Sequence, residues 1–272
     1  MLKTRALTAA VLLAAFGSAL FLLPRAGWVG FCALLLGGAA WEWAALAALR
    51  GSGRILYALA LVALFLSPLL LAGPRAGELY APAWVYCASG FFWVVLAPLW
   101  ILRSDFFGSR PVLLAAGVLT LVAACAALVD LRGEHPLLLL AALGTVWISD
   151  SAAYFAGRRF GKRKLAPTIS PGKTWEGVAG ALIAVALYAL AWAGLGGHQN
   201  PWLEGGRPTA AFVAVLLGLA VAGIVGDLFE SLIKRQAGVK DSGKLLPGHG
   251  GILDRVDAPV AMLPLAVLAF MR

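Results

Sequence analysis

Apolar residues in this chain fall into long runs separated by short polar connections, and a helix needs about twenty mostly apolar residues to cross a hydrocarbon layer. Runs of roughly that length predict nine spanning helices, at approximately Ala6–Leu23, Gly27–Leu49, Ile55–Ala72, Ala83–Leu102, Pro111–Val129, Pro136–Ala156, Trp175–Leu195, Pro208–Gly226 and Val256–Phe270. Most connections carry Pro, Gly or charge, as in Arg50-Gly-Ser-Gly-Arg54 and Arg132-Gly-Glu-His-Pro136. Two are longer, polar and dense in charge, Gly157–Thr174 and Asp227–Arg255, and loops of that kind carry function. The fold class is therefore all-α, a polytopic membrane protein. Residues 1–135 form an N-terminal set of spans, and residues 136–272 a catalytic region that carries the loops 157–174 and 227–255.

Composition agrees. The 272 residues are 61% apolar and 13% charged, and mean hydropathy is +0.88, which no water-soluble core of this size requires because a surface must also be made. Met1–Arg5 ahead of the first apolar run has the outline of a signal peptide, but no small-residue cleavage site follows, so the run is read as the first span. Cys32, Cys87 and Cys125 each sit inside an apolar run without CxxC spacing and are read as packing residues.

Charge sets the orientation, since basic loops stay on the cytoplasmic side. A cytoplasmic N-terminus puts Lys3, Arg5, Arg50, Arg54, Arg103, Arg110 and both basic-rich long loops inside. Only Arg25, Arg75, Arg132, Arg207 and Arg272 then lie outside. The net charge of +9 is thus concentrated on the face where anionic lipid headgroups and nucleotides are found.

The second long loop holds the densest chemistry. If the eighth helix runs on past the membrane, Asp227, Glu230, Ser231 and Lys234 fall at i, i+3, i+4 and i+7 and share one face. Mg²⁺ takes few carboxylate ligands and completes its shell with phosphate oxygens and water, so sparse aspartates beside Lys and Arg suit a metal–triphosphate site. Asp227 and Asp254 are the candidate metal ligands. Lys234, Arg235, Lys240, Lys244 and Arg255 can neutralise charge building on phosphate oxygens. Leu246-Pro-Gly-His-Gly-Gly251 packs three glycines around His249, which lets backbone N–H groups approach an anion. Asp241 and Asp257 flank that turn and join His249 as candidate catalytic residues.

The first long loop supplies Ser170-Pro-Gly-Lys-Thr-Trp-Glu-Gly177, with Ser170, Lys173 and Thr174 beside a helix N-terminus where phosphate is favoured. Glu176 has two readings, a helix-start acid matched to the macrodipole or a site residue. Asp150, in Ser149-Asp-Ser-Ala-Ala-Tyr154, is costly inside an apolar run unless paired or wet, and is assigned to the site with Tyr154. Ser231 joins them as substrate-binding. Glu42, between Trp41 and Trp43, is either a structural hydrogen-bonding group or a minor functional one, and stays outside the site.

Ser231-Leu-Ile-Lys-Arg235, Lys240-Asp-Ser-Gly243 and Leu246-Pro-Gly-His-Gly-Gly-Ile-Leu-Asp-Arg-Val-Asp257 together resemble the signature of the phosphatidate cytidylyltransferases. Asp150-Ser-Ala-Ala-Tyr154, Gly157-Arg-Arg-Phe-Gly161 and Ser170–Gly177 look like further family segments, so the resemblance runs from about Trp147 to Pro259, and the N-terminal half matches only in being apolar. The resemblance implies transfer of a cytidylyl group from CTP to phosphatidate, giving CDP-diacylglycerol and pyrophosphate, in a bacterial inner membrane with the active site facing the cytoplasm. It also implies Mg²⁺ on Asp227 and Asp254, a monovalent cation such as K⁺ nearby, a homodimer, and no nucleic-acid partner. Gly172 departs from the family, in which a second lysine is common here, and this implies weaker phosphate binding.

Two other readings stand beside this one. A transporter for an anionic lipid would also place acids in spans and basic loops along a path, but the two halves show no paired broken spans. An enzyme of the same architecture acting on another lipid phosphate differs only in its acceptor.

Overall fold

The computed structural model describes residues 11, 14–71, 79–103, 109–195, 201–204, 206–245 and 250–271. It is an all-α polytopic membrane protein. Residues 14–22 form α1, followed by α2 (Arg25–Leu46), α3 (Ser52–Leu71), α4 (Ala83–Phe91), a π-helical turn (Phe92–Leu96), α5 (Ala97–Leu102), α6 (Arg110–Glu134) and α7 (Pro136–Phe160). Strands β1 (Lys164–Ala166) and β2 (Ser170–Thr174) come next, then α8 (Trp175–Leu195), α9 (Pro201–Glu204), α10 (Thr209–Gln236) and α11 (Leu253–Phe270).

Seven described helices are long and apolar enough to cross a membrane, α4, the π-turn and α5 counting as one span. They correspond to the second through eighth predicted runs. Helix α11 replaces the ninth, starting earlier than Val256 and carrying Asp254, Arg255 and Asp257 in its first turns. Of the first predicted run, residues 6–10, 12 and 13 lie outside the described residues.

Both long loops are shorter than predicted, because the helices beside them continue. Helix α7 runs to Phe160, with Arg158 and Arg159 in its last turn, where cations complement the negative helix end. Helix α10 runs ten residues beyond the predicted end at Gly226, and closes on Gly238 at φ +71°. The Gly238 N–H donates to the Arg235 carbonyl and the Val239 N–H to that of Lys234, a Schellman closure that favours glycine at the left-handed position. Inside the first loop the structure adds one short hairpin to the helices. Strands β1 and β2 pair antiparallel, Lys164 opposite Thr174 and Ala166 opposite Ser170, with an irregularity between them.

Helix α8 packs on α7, α10 on α11 and α8, α11 on α6, and α2 on α3 and α6. Small residues let α7 and α8 approach. A Cβ at Gly177 would stand 3.0 Å from the Ala153 carbonyl oxygen, and one at Gly180 would collide with the Ala156 methyl. Phe229 on α10 anchors the centre, its ring 5.2 to 5.5 Å from those of Trp100, Phe92 and Trp93 and 6.4 Å from Trp43. Among the cysteines, Cys32 and Cys125 are buried as expected, whereas Cys87 is exposed on the outer surface of α4.

Candidate active site

Helices α7, α8 and α10 and the β1–β2 hairpin enclose a cavity of about 550 Å³, bordered by Asp150, Tyr154, Arg158, Lys164, Ser170, Lys173, Thr174 and Asp227 among others. Its polar lining comes from elements distant in sequence. Asp150 and Tyr154 lie one turn apart on α7, Ser170 and Lys173 stand on β2, and Asp227 faces them from α10. Lys173 Nζ lies 2.7 Å from Asp227 Oδ2, so the hairpin is tied to α10 by an ion pair at the cavity wall. Asp150 borders this cavity rather than being sealed among the helices. The Tyr154 hydroxyl accepts from Arg158 Nη1 at 3.0 Å.

Thr174 and Glu176 build the hairpin-to-helix junction. The buried Thr174 hydroxyl accepts the Gly177 N–H at 3.1 Å, capping α8. Glu176 accepts the N–H groups of Lys162 and Arg163 at 3.0 and 3.2 Å. Its carboxylate therefore fixes the entry to the hairpin, a stronger structural role than macrodipole matching alone.

The predicted stripe on α10 forms. Ser231 Oγ lies 3.4 Å from Asp227 Oδ1, and Lys234 Nζ lies 3.0 Å from Glu230 Oε2, each pair one turn apart. Lys234 reaches further, to Asp254 Oδ1 on α11 at 2.7 Å. Asp254 is held on all sides, Ser242 N–H donating at 3.1 Å and Gly251 N–H at 2.8 Å to Oδ2. Burial opposes ionisation of Asp254, but the Lys234 ammonium and the two amides outweigh it and hold the carboxyl below its ordinary range. Asp257, on the same helix face region, lies within electrostatic reach of Asp227, Glu230 and Asp150 and accepts from the Ala258 N–H at 2.8 Å.

The sequence-predicted residues thus separate into two connected groups. Asp150, Tyr154, Ser170, Lys173, Thr174 and Asp227 border the cavity. Lys234 and Asp254 lock the loop that follows α10, from which Lys240, Asp241 and Lys244 project as exposed side chains. Ser231 and Asp257 sit between the groups. Arg235 turns back to the hairpin, donating to the Ile169 carbonyl at 3.3 Å, and Arg255 is exposed at the start of α11. His249 lies outside the described residues.

Arg158 and Lys164 border the cavity without having been singled out, although both lie in the basic first loop. Glu42 was set aside, yet it accepts from Ser242 Oγ at 3.0 Å and Leu253 N–H at 2.9 Å, at both ends of the second loop. An acid inside an apolar run was the available signal, but its partners are some 200 residues away in the chain, which spacing cannot reveal.

For Mg²⁺ the donor chemistry at the cavity fits. Asp227 and Asp150 offer hard oxygen donors to the same space, and such an ion needs only one or two carboxylates when phosphates and water complete its shell. Among the described residues no group of three or more His, Cys, Asp or Glu side chains is arranged to hold a metal ion. Asp254 has both oxygens engaged by protein donors.

The cavity is bordered by acids, Asp150 and Asp227, and by cations, Arg158, Lys164 and Lys173. The family model for the cytidylyltransferase family matches residues 3–271. The chain belongs to the cytidylyltransferase family. It is 41% identical to a phosphatidate cytidylyltransferase of Pseudomonas aeruginosa, over 97% of this chain and 95% of that protein. A phosphatidate cytidylyltransferase of Haemophilus influenzae is 36% identical over 97% and 96%. One of Brucella suis is 45% identical over 51% of this chain and 49% of its own length. The match of the family over nearly the whole chain includes the N-terminal helices, where the motif resemblance had been silent.

Proposed function

We infer that this protein transfers the cytidylyl group of CTP to phosphatidate, releasing CDP-diacylglycerol and pyrophosphate for phospholipid synthesis. The observation that carries this is the Lys173–Asp227 pair at the wall of a cavity bordered by α7, α8 and α10, in a chain aligned end to end with relatives of that name.

The chemistry needs positioning more than a base. The phosphate monoester of phosphatidate has a second pKa of ~6 by analogy with phosphorylated side chains, so it is already a nucleophile near neutral pH. It attacks the α-phosphorus of CTP in line, the new P–O bond forming as the bond to pyrophosphate breaks and its electron pair leaves on the departing oxygen. Lys173, Lys164 and Arg158 border the cavity and orient phosphate oxygens there. Ser170 and Tyr154 offer hydroxyls to the same space. Asp227, with Asp150 beside it, is the place for Mg²⁺, which when bound neutralises triphosphate charge. Asp254, which Lys234, Ser242 and Gly251 hold in place, is the second proposed ligand of such an ion. K⁺ as a second cation belongs to the same proposal.

The loops lie on the cytoplasmic side of a bacterial inner membrane in this reading, with the N-terminus inside, because the basic residues concentrate there. The assembly proposed is a homodimer, with no nucleic-acid partner. The test uses CTP labelled at its α-phosphate. Recovery of label in a chloroform-extractable liponucleotide supports the assignment, and label confined to water-soluble products overturns it. Replacing phosphatidate by a polyprenyl phosphate distinguishes the alternative acceptor.

A further inference from the structure

Glu42 lies on α2, in the N-terminal half, far in sequence from every residue assigned to the site. It is 1% exposed. One of its oxygens, Oε2, receives the Ser242 hydroxyl at 3.0 Å and the Leu253 N–H at 2.9 Å, while Oε1 is buried without a hydrogen-bond partner among the described residues. Backbone closes around this carboxyl group on two sides. A Cβ at Gly243 would collide with Oε1, and one at Gly251 with Oε2. Only glycine can stand at either position with Glu42 in place.

Ser242 is the shared element. Its hydroxyl goes to Glu42 and its N–H to Asp254, which also takes the Gly251 N–H. Two carboxylates, one from α2 and one from α11, therefore draw together residues 242–243 and 251–253. That contact fixes the segment from which Lys240, Asp241 and Lys244 project. A buried acid costs free energy unless its acceptors are used. Here one oxygen, Oε2, is used to hold a backbone N–H and a hydroxyl.

We propose that Glu42 is a positioning residue for the proposed transfer, its carboxyl oxygen acting as the hydrogen-bond acceptor that ties Ser242 to Leu253 and so keeps the Ser242 and Gly251 amides on Asp254. This rests on the reading of the reaction given above. The required property is an acceptor at Oε2, not the volume of the side chain.

The test compares purified Glu42→Gln, Glu42→Met and Ser242→Ala with the unaltered full chain in detergent micelles. Transfer from CTP to phosphatidate is measured beside amide hydrogen exchange and melting temperature. Gln keeps an acceptor and is expected to retain most of kcat. Met fills the space without accepting, and is expected to lower kcat by about tenfold or more, since misplacement of order 1 Å can cost ~10²-fold. Exchange at Ser242 and Leu253 should accelerate in Glu42→Met while the helices stay protected. Ser242→Ala removes one of the two bonds and should give an intermediate kcat, a readout that remains if the Met variant does not fold. A Met variant with unaltered kcat and unaltered loop exchange overturns the proposal, as does an unaltered kcat in Ser242→Ala. If the unaltered protein itself transfers nothing, the reaction reading fails, while the exchange arm still reports whether Glu42 ties Ser242 to Leu253.

Discussion

Lys173 on β2 and Asp227 on α10 meet at 2.7 Å at the cavity wall, and this pair joins two elements whose paired residues the sequence separates by more than fifty positions. The lysine is thereby presented to the cavity by a strand rather than a helix, and the aspartate stays within reach of Asp257. Lys173→Ala is expected to lower kcat/KM by about 10²-fold, the usual scale for losing one positioned charge that meets developing negative charge. Steady-state kinetics with CTP varied, beside a melting curve showing an intact fold, checks it. An unchanged kcat/KM would remove Lys173 from the phosphate site.

Gly172 borders the same cavity, and a Cβ added there meets nothing within 4 Å. Its backbone lies outside the left-handed region, so a side chain is tolerated. Gly172→Lys is expected to lower KM for CTP by a few fold, roughly the 1 kcal/mol scale of a partly exposed ionic contact, with kcat little changed. A rise in KM would show that the added cation misses the phosphates.

Asp254 and Lys234 form a largely buried pair, with side-chain exposures of 11% and 12%. Asp254→Ala leaves Lys234 with one acidic partner and two loop amides without an acceptor, which is expected to cost about 3 kcal/mol. Because the folded-state carboxyl of Asp254 is held below its ordinary range, its contribution is fully present above the unfolded carboxylate pKa and fades as pH falls through the folded one. Thermal melts of the unaltered protein should therefore steepen in their loss of stability below the ordinary carboxylate range. Asp254→Asn, which has no such titration, should show a shallower acid limb, and identical limbs would contradict this.

Thr174 supplies a helix cap rather than an open hydroxyl. Thr174→Ala is expected to cost about 1 kcal/mol, and Thr174→Ser to restore it. A KM change in the Ser variant, whose hydroxyl is preserved, would point instead to contact of the Thr174 methyl group with substrate.

The spans were legible because apolar runs of bilayer length leave few alternatives, and the stripe from Asp227 to Lys234 because helical spacing carries through a helix end. What could not be read was how far the helices outlast the membrane. Helix α10 continues to Gln236 and α11 begins at Leu253, since charged residues make good water-exposed helix and hydropathy registers only their charge. The hairpin was hidden by its length, three residues paired with five. The engagement of Asp254 by Ser242, Gly251 and Lys234, beside a contact from Glu42 on α2 to Ser242 and Leu253, joins residues that neighbouring positions in the chain cannot announce.

The central claim is that the Asp227 cavity performs metal-dependent cytidylyl transfer to phosphatidate. The most direct measurement is pyrophosphate release by the purified protein in detergent micelles with Mg²⁺, CTP and phosphatidate, run beside Asp227→Asn and an EDTA control. The expected result is turnover that requires all three components and falls by about 10³-fold in the variant, as for loss of a principal electrostatic contributor. Turnover that survives in well-folded Asp227→Asn, or that proceeds without phosphatidate, would contradict it.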